Sequence, residues 1–263
     1  MKKCLFFLFF LPFLSLHAKS LNRPPLKILL LADTSDPKMR AYHLSDVKRM
    51  KKACTLIAKR SNYGISITVL KGKKVTTQNI EKWLHTRPYS QWGNNLIYYS
   101  GAALEPLDPS SLWPCVKMEN SKKISTFDIR KKVLESCPRP FSTKLFFDCY
   151  NQVKKTPLPS INASSSNENL LRLFFKSHGN CLLCSSKSNS FSIGLKHKKA
   201  KGGLFTVMLL KTILENKTEI VTWNHICDDV AKKCTAYGQQ PLSQIPYMKY
   251  PETYPSRVPM SKL

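Results

Sequence analysis

The chain has 263 residues, 42% of them hydrophobic, which is enough apolar material for one sizeable core and too much for a disordered segment. Its 42 Lys and Arg against 16 Asp and Glu give a formal charge of +26, excluding an acidic solvating tail or a calcium cage as its main business. Nine cysteines fall well short of the roughly 8–10% that marks a disulfide scaffold, so the core has to carry the stability.

Residues 1–18 open with Lys2 and Lys3, continue with an apolar run from Leu5 to Leu14 and close on Ala18, the layout of a secretory signal peptide. The run falls below the roughly 20 residues of a membrane-spanning helix, so the segment is expected to be cleaved, giving a secreted or periplasmic protein. After a short linker, 19–25, Leu26 to Ala32 reads as a strand buried on both faces. Leu44, Val47, Met50, Cys54 and Ile57 recur at three- and four-residue steps with Lys48, Arg49, Lys51 and Lys52 between them, predicting an amphipathic helix with a basic outer face.

Beyond Gly64, the alternation of Ile65, Ile67 and Val69 predicts a second strand. Thr76 or Thr77 can cap a short helix carrying Ile80, Trp83 and Leu84, and Asn95 to Ser100 forms a third strand. Phe127 to Leu134 reads as helix, Lys144 to Asp148 as strand, Leu170 to Phe175 as helix and Cys181 to Ser185 as strand. The alternation predicts an α/β fold with a mostly parallel sheet, whose functional loops leave the carboxyl ends of the strands. Ser100-Gly101 and Asp148-Cys149-Tyr150 stand at two such ends, and 151–169, rich in Pro, Ser, Asn and Lys, reads as a long surface loop.

Five segments together resemble the caspase, metacaspase and gingipain group of cysteine peptidases, in particular its bacterial caspase-like members. They are LLLADTSD followed by Ser45-Asp46 heading a helix; Tyr98-Tyr99-Ser100-Gly101; Phe147-Asp148-Cys149-Tyr150-Asn151; Gly202-Gly203-Leu204-Phe205-Thr206; and Gln239-Gln240-Pro241. The resemblance implies a caspase-like three-layer α/β/α sandwich with a mostly parallel central sheet. Its domain runs over 26–246, with a large-subunit-like part about 26–150, the loop 151–169, a small-subunit-like part about 170–246 and a tail 247–263.

The resemblance also implies where a catalytic pair should stand. The family continues Ser-Gly with His-Gly, but this chain has Ala102 and Ala103; the nucleophile position, two residues after Asp148, holds Tyr150. Ala102 and Tyr150 are 48 residues apart, matching the roughly 50 between base and nucleophile in caspases. A methyl group transfers no proton, and a phenol with an ordinary pKa near 10 is a poor acyl nucleophile without a base beside it. The expectation is a pseudopeptidase with a degenerate pair, acting through protein or peptide binding, in which Asp148, Ser100 and Gly101 line a surviving substrate groove. For Asp148, an equal alternative is a carboxylate that accepts N–H groups and orders the loop.

Two alternatives stay open. One is an active cysteine endopeptidase with Cys149 as nucleophile, although a one-residue slip on a strand turns a side chain to the opposite face, and none of His43, His85, His178, His197 and His225 falls where the family puts its base. The other is a basic surface binder of polyanions or anionic membrane surfaces, from the clusters Lys48 to Lys52, Lys71 to Lys74, Arg130 to Lys132 and Lys196 to Lys201. These clusters are dispersed and lack interleaved exposed aromatics, so no specific nucleic acid is expected.

Neither a metal nor another cofactor is expected. Cys181 and Cys184, three apart on a strand, point to opposite faces, and no second Cys-x-x-Cys completes a ligand set. Export favours some disulfides, whose pairing the sequence leaves open. No transmembrane segment is expected after signal cleavage, and Ser261-Lys262-Leu263, a peroxisomal address in form, reads as coincidence beside an export signal.

Overall fold

In the computed structural model the described residues are 26–85, 94–118, 122–136, 142–150, 152–187, 192–197 and 200–244. The segments expected as signal peptide and linker, Asn151 and the residues beyond 244 lie outside them. The apolar run Leu26–Ala32 forms strand β1, six of whose seven residues are fully shielded from water. Helix α1 (Arg40–Ser61) follows, with its apolar stripe turned inward and Lys48, Lys51, Lys52 and Lys59 exposed. It closes on Asn62, whose φ of 54° is the left-handed conformation that ends helices and that asparagine tolerates better than most residues.

Strand β2 (Ile65–Lys71) leads to α2 (Thr77–His85), whose first turn is capped by Thr76 Oγ1 accepting from the Asn79 N–H at 3.1 Å. Then come β3 (Asn94–Gly101), β4 (Ala103–Leu104), β5 (Cys115–Lys117), β6 (Lys123–Ser125), α3 (Thr126–Ser136), β7 (Ser142–Cys149) and β8 (Gln152–Lys154). Helix α4 (Asn167–Leu171) runs into a π-helical turn (Arg172–Lys176), followed by β9 (Gly179–Cys184), β10 (Ile193–His197), β11 (Ala200–Gly203), α5 (Leu204–Glu215), α6 (Trp223–Thr235) and β12 (Leu242–Gln244).

The central sheet has the order β12-β9-β7-β3-β1-β2; β2, β1, β3, β7 and β9 are parallel and only β12 runs antiparallel, on the edge. Because successive strand residues point to opposite faces, the sheet feeds two cores. Ile28, Leu30, Tyr98, Phe146 and Cys181 join the inward faces of α1, α5 and α6 in the larger one. Leu29, Leu31, Tyr99, Phe147, Cys149 and Cys184 join Ile80 and Leu84 of α2 and Ile129 and Val133 of α3 in the other. The result is the expected three-layer α/β/α sandwich. Each fully buried Leu, Ile or Phe contributes about 1.5–3 kcal/mol of hydrophobic stabilisation, which is how a chain this basic holds together.

Two local readings are corrected. Ser45-Asp46 does not head α1, which already begins at Arg40, so Asp46 lies in the second turn and faces the core. The segment 151–169 carries β8, which pairs in parallel with β10 in a small sheet, and ends inside α4; Ser166 caps that helix by accepting from the Asn169 N–H.

Candidate functional site

The carboxyl ends of β1, β3 and β7 stand side by side, with Ala32 opposite Ser100, Ser100 opposite Asp148 and Gly101 opposite Cys149. Strand alternation then sorts the side chains. Ser100 and Asp148 share the face of Tyr98 and Phe146, toward α1 and α5, whereas Cys149 belongs to the core on the α2 and α3 side. Two elements complete the first face. The opening turns of α1 bring His43 and Asp46, and the β11–α5 junction brings Gly202, Gly203 and Thr206.

Asp46 is the centre of this cluster. Its carboxylate accepts from the Gly203 N–H (3.0 and 2.9 Å to its two oxygens), from the Tyr150 hydroxyl (2.9 Å), from the Ser100 hydroxyl (3.3 Å) and from Arg49 (3.2 Å). Burial raises its pKa from 3.8 to about 6, against the Arg49 guanidinium and these hydrogen bonds, which pull it down. Because the Ser100 proton is directed at Asp46, the contact between His43 Nδ1 and Ser100 Oγ, 3.1 Å, has the imidazole N–H donating. Burial lowers the His43 pKa to about 4, outweighing the nearby Asp33 and Asp36, so the ring is neutral near neutral pH.

Asp148 turns to α5. Its Oδ2 accepts from the Thr206 N–H (3.1 Å) and hydroxyl (2.5 Å), and the Tyr98 hydroxyl donates in turn to Thr206 Oγ1 (2.5 Å). Gly203, at the N-cap of α5, offers no side chain for capping, and a Cβ there would fall onto the Asp148 carboxyl. Asp148 therefore replaces the missing cap from a neighbouring strand, and with Asp46 places two acidic groups at the positive end of the helix. Burial, then the nearness of Asp46, pushes the Asp148 pKa well above the ordinary range.

Tyr150 follows Asp148 onto the same face, and its backbone N–H donates to the Gly101 carbonyl (3.2 Å). Its ring lies 4.8 Å from that of His43, with Tyr42 edge-on at 6.4 Å, and a Cβ on Gly194 of β10 would come within 3.1 Å of it. Only 1% of the residue is exposed. Burial, followed by the charges of Asp46 and Asp148, holds the phenol well above its usual pKa.

Of the sequence-derived residues, Ser100, Asp148 and Tyr150 meet in one buried network, and Gly101 adjoins it through the Tyr150 amide. Ala102 is half-buried and contributes its carbonyl, which accepts from the Tyr99 hydroxyl at 3.3 Å. Cys149 lies on the far face; its N–H donates to Ser185 Oγ, and burial raises its thiol pKa well above 9. Gln239 is fully buried and joins Ser185 to Ser192, its amide donating to the Ser185 carbonyl (2.5 Å) and Ser192 Oγ (3.0 Å).

Sequence reading missed His43 and Asp46 as members of the site. The signal was there: both fall on the inward stripe of α1, at positions where the pattern otherwise demands apolar residues, and a polar side chain on such a stripe needs a buried partner. Cys181 and Cys184 diverge into the two different cores. Among the described residues no cluster of His, Cys, Asp or Glu has the arrangement of a metal site.

No family model and no curated protein sequence matches this chain. Among solved structures it resembles a crystal structure of a protein from Geobacter sulfurreducens, with 14% identity over 84% of this chain and 93% of that one and a TM-score of 0.51. It also resembles the Drosophila initiator caspase Dronc, with 9% identity over 85% of this chain and 80% of that one, again at a TM-score of 0.51. At these identities the likeness is one of architecture, and what it establishes for this chain is a caspase-like α/β/α fold.

Proposed function

We propose that the chain is an exported caspase-fold pseudopeptidase that acts by binding a protein or peptide. The observation that carries this reading is Tyr150. The group at the nucleophile position is a buried phenol whose proton is already committed to Asp46, and whose ring fills the space between His43 and β10. Acyl transfer needs a nucleophile that meets a carbonyl and a base that takes its proton. Here the imidazole nearest that position is bonded to Ser100, and the neighbouring thiol, Cys149, belongs to the opposite core.

The same geometry bears on how binding works. Ser100 and Asp148 are occupied by internal partners, so recognition through a pocket floored by Asp148 would first have to displace Thr206. Recognition at the outer surface has no such cost. Export is supported by the layout of residues 1–18, and among the described residues no helix is long and apolar enough to cross a membrane.

The test is hydrolysis of fluorogenic peptides bearing Arg, Lys or Asp before the scissile bond. No turnover above background is expected, and Cys149→Ala should change nothing. Turnover that Cys149→Ala abolishes overturns the reading. Binding to a polyanion that falls away smoothly with salt, with no peptide or protein bound at high salt, would favour a purely electrostatic surface role. N-terminal sequencing of the exported chain tests the signal; a mature protein that still begins at Met1 refutes cleavage.

A further inference from the structure

The central sheet ends on β2, with no strand beyond it among the described residues. Its pairing with β1 fixes which backbone groups are left over. The Leu26 N–H donates to the Gly64 carbonyl at 3.0 Å, and Leu26 stands opposite Ile65. In a parallel ladder a residue bonds the two neighbours of the one it faces. Ser66, Thr68 and Leu70 therefore turn their N–H and C=O groups to β1, while Ile65, Ile67, Val69 and Lys71 turn theirs outward. No hydrogen bond among the described residues reaches those outward groups.

Folded proteins protect such an edge with a bulge, a proline, a lysine along the strand or a very short strand. Residues 65–70, ISITVL, carry no charge and no proline, and β2 pairs with β1 residue for residue over seven positions without a bulge. Ile65, Ile67 and Val69 are half-buried against the larger core, so the strand is held in place with its outer backbone exposed to pairing. We propose that the outer edge of β2 is a strand-addition site, at which an extended acidic segment of a partner protein pairs as a seventh strand of the central sheet. This rests on the reading that the chain acts by binding a protein or peptide, and puts that binding outside the Tyr150 cluster.

Charge selects the occupant. Residues 47–80 hold nine Lys and Arg and no Asp or Glu. Lys71, Lys73 and Lys74, at the end of the strand, are exposed and make no ion pair among the described residues. A second copy would bring the same lysines and a further charge of +26 to the contact, which repels it. The chain's own ends fit no better. Residues 19–25 are basic through Lys19 and Arg23, and 245–263 is interrupted by Pro246, Pro251, Pro255 and Pro259, which lack the N–H that a ladder needs.

The test uses the full chain and a blocked peptide of alternating Val and Glu long enough to span β2, with amide exchange followed by NMR. At a peptide concentration about ten times its Kd, the Ile65, Ile67 and Val69 amides should exchange about tenfold more slowly, while those of Ser66, Thr68 and Leu70, already bonded to β1, should stay as they are. The same peptide N-methylated at alternate residues on its bonding edge should slow none of them, and the counterpart with Lys in place of Glu should bind about tenfold more weakly or worse. Ile67→Pro removes an outward N–H and no bond to β1, so it should abolish binding with the Tm held. If that variant fails to fold, the wild type with the N-methylated peptide decides. Absence of slowing up to the solubility limit of the peptide, or equal slowing by the N-methylated form, overturns the proposal. Slowing confined to other parts of the chain overturns the edge as the site and leaves the binding reading standing, whereas turnover of fluorogenic peptides overturns that reading and leaves the exchange result as it is. Outward amides already slow in the chain alone, in a dimer that Ile67→Pro dissociates, would make the occupant a second copy and overturn the acidic partner.

Discussion

Replacing Tyr150 by Phe removes one oxygen and tests the centre of the site. The ring keeps its place beside His43 and Gly194, while Asp46 loses the donor at 2.9 Å and keeps the Gly203 amide, Ser100 and Arg49. Hydrogen bonds to charged groups are worth about 1.5–3 kcal/mol, roughly twice the neutral kind. The folded pKa of Asp46, about 6, lies above its ordinary 3.8, so the folded state binds more protons between those values. Stability from this group is therefore complete below pH 3.8 and is lost as the pH rises through 6, by about 3 kcal/mol in all. Tyr150→Phe should deepen that loss, because it removes a donor to the ionised form. A domain of this size shifts by about 2–4 °C in Tm per kcal/mol, so the variant should melt about 3–12 °C below wild type at pH 8 and about half as far below at pH 5. Differential scanning calorimetry at the two pH values reads this directly. Equal losses at both, or no loss at pH 8, would show that the hydroxyl does not serve an ionised Asp46.

Three further perturbations address the groups around it. Asp148→Ala removes the group that caps α5 through Thr206 and should lower the urea midpoint by the equivalent of about 2–4 kcal/mol, whereas Asp148→Asn, which keeps an oxygen to accept from Thr206, should cost less than half as much; equal losses would refute the capping role. Lys144→Met should raise stability near pH 7 by about 2–3 kcal/mol in urea titrations, because the folded pKa of about 7 lies below the ordinary 10.5 and stability is lost as the pH falls from 10.5 through 7; a destabilised variant would mean the amine has an ionic partner. For His43 the folded pKa of about 4 lies below 6.5, so the stability difference between wild type and His43→Asn should shrink by about 3 kcal/mol as the pH falls from 6.5 to 4, and a difference that stays flat would mean the ring ionises freely in the folded chain.

The sheet was legible because its strands are buried on both faces and read as unbroken apolar runs: LKILLLA, NLIYYS and KLFFD each became a strand within one or two residues of the expected ends. The register was not legible, yet it is what opposes Ser100 to Asp148 and so makes a site from two motifs 48 residues apart. Small elements escaped for a different reason. Strand β8, three residues long with none of them buried, has little burial to imprint on its sequence, and it exists because β10 offers it a partner. Helix α6 carries its signal in Trp223, Ile226, Cys227, Val230 and Cys234 at helical spacing with Thr222 as cap, and went unread among its charged neighbours. In the site, the weakness was judging histidines by their distance along the chain. His43 is 57 residues from Ser100 in sequence and 3.1 Å from it in space.

The network also decides how much would have to change for a catalytic pair to be installed at 102 and 150, as the proposed function invites. A working pair needs donors and acceptors left vacant for a substrate, and in this chain they are engaged with one another: Tyr150 and Ser100 with Asp46, His43 with Ser100, Thr206 with Asp148. Two of these bonds tie α1 to β3, one ties α1 to the residue after β7 and one ties α5 to β7, so the four elements are held in part through the polar groups themselves. Tyr150→Cys would leave a ring-sized void beside His43, with a cost of about 3 kcal/mol or more by analogy with other aromatic truncations in cores, and would strip a donor from the buried Asp46 carboxylate. Position 102 takes part only through its backbone carbonyl, which accepts from the Tyr99 hydroxyl, so a substitution there undoes none of these bonds. Positions 102 and 150 are thus unequal in this fold: the first adds only a backbone carbonyl to the bonds around it, while the second is built into the packing and electrostatics, so that any change at 150 requires Asp46 to find another donor first.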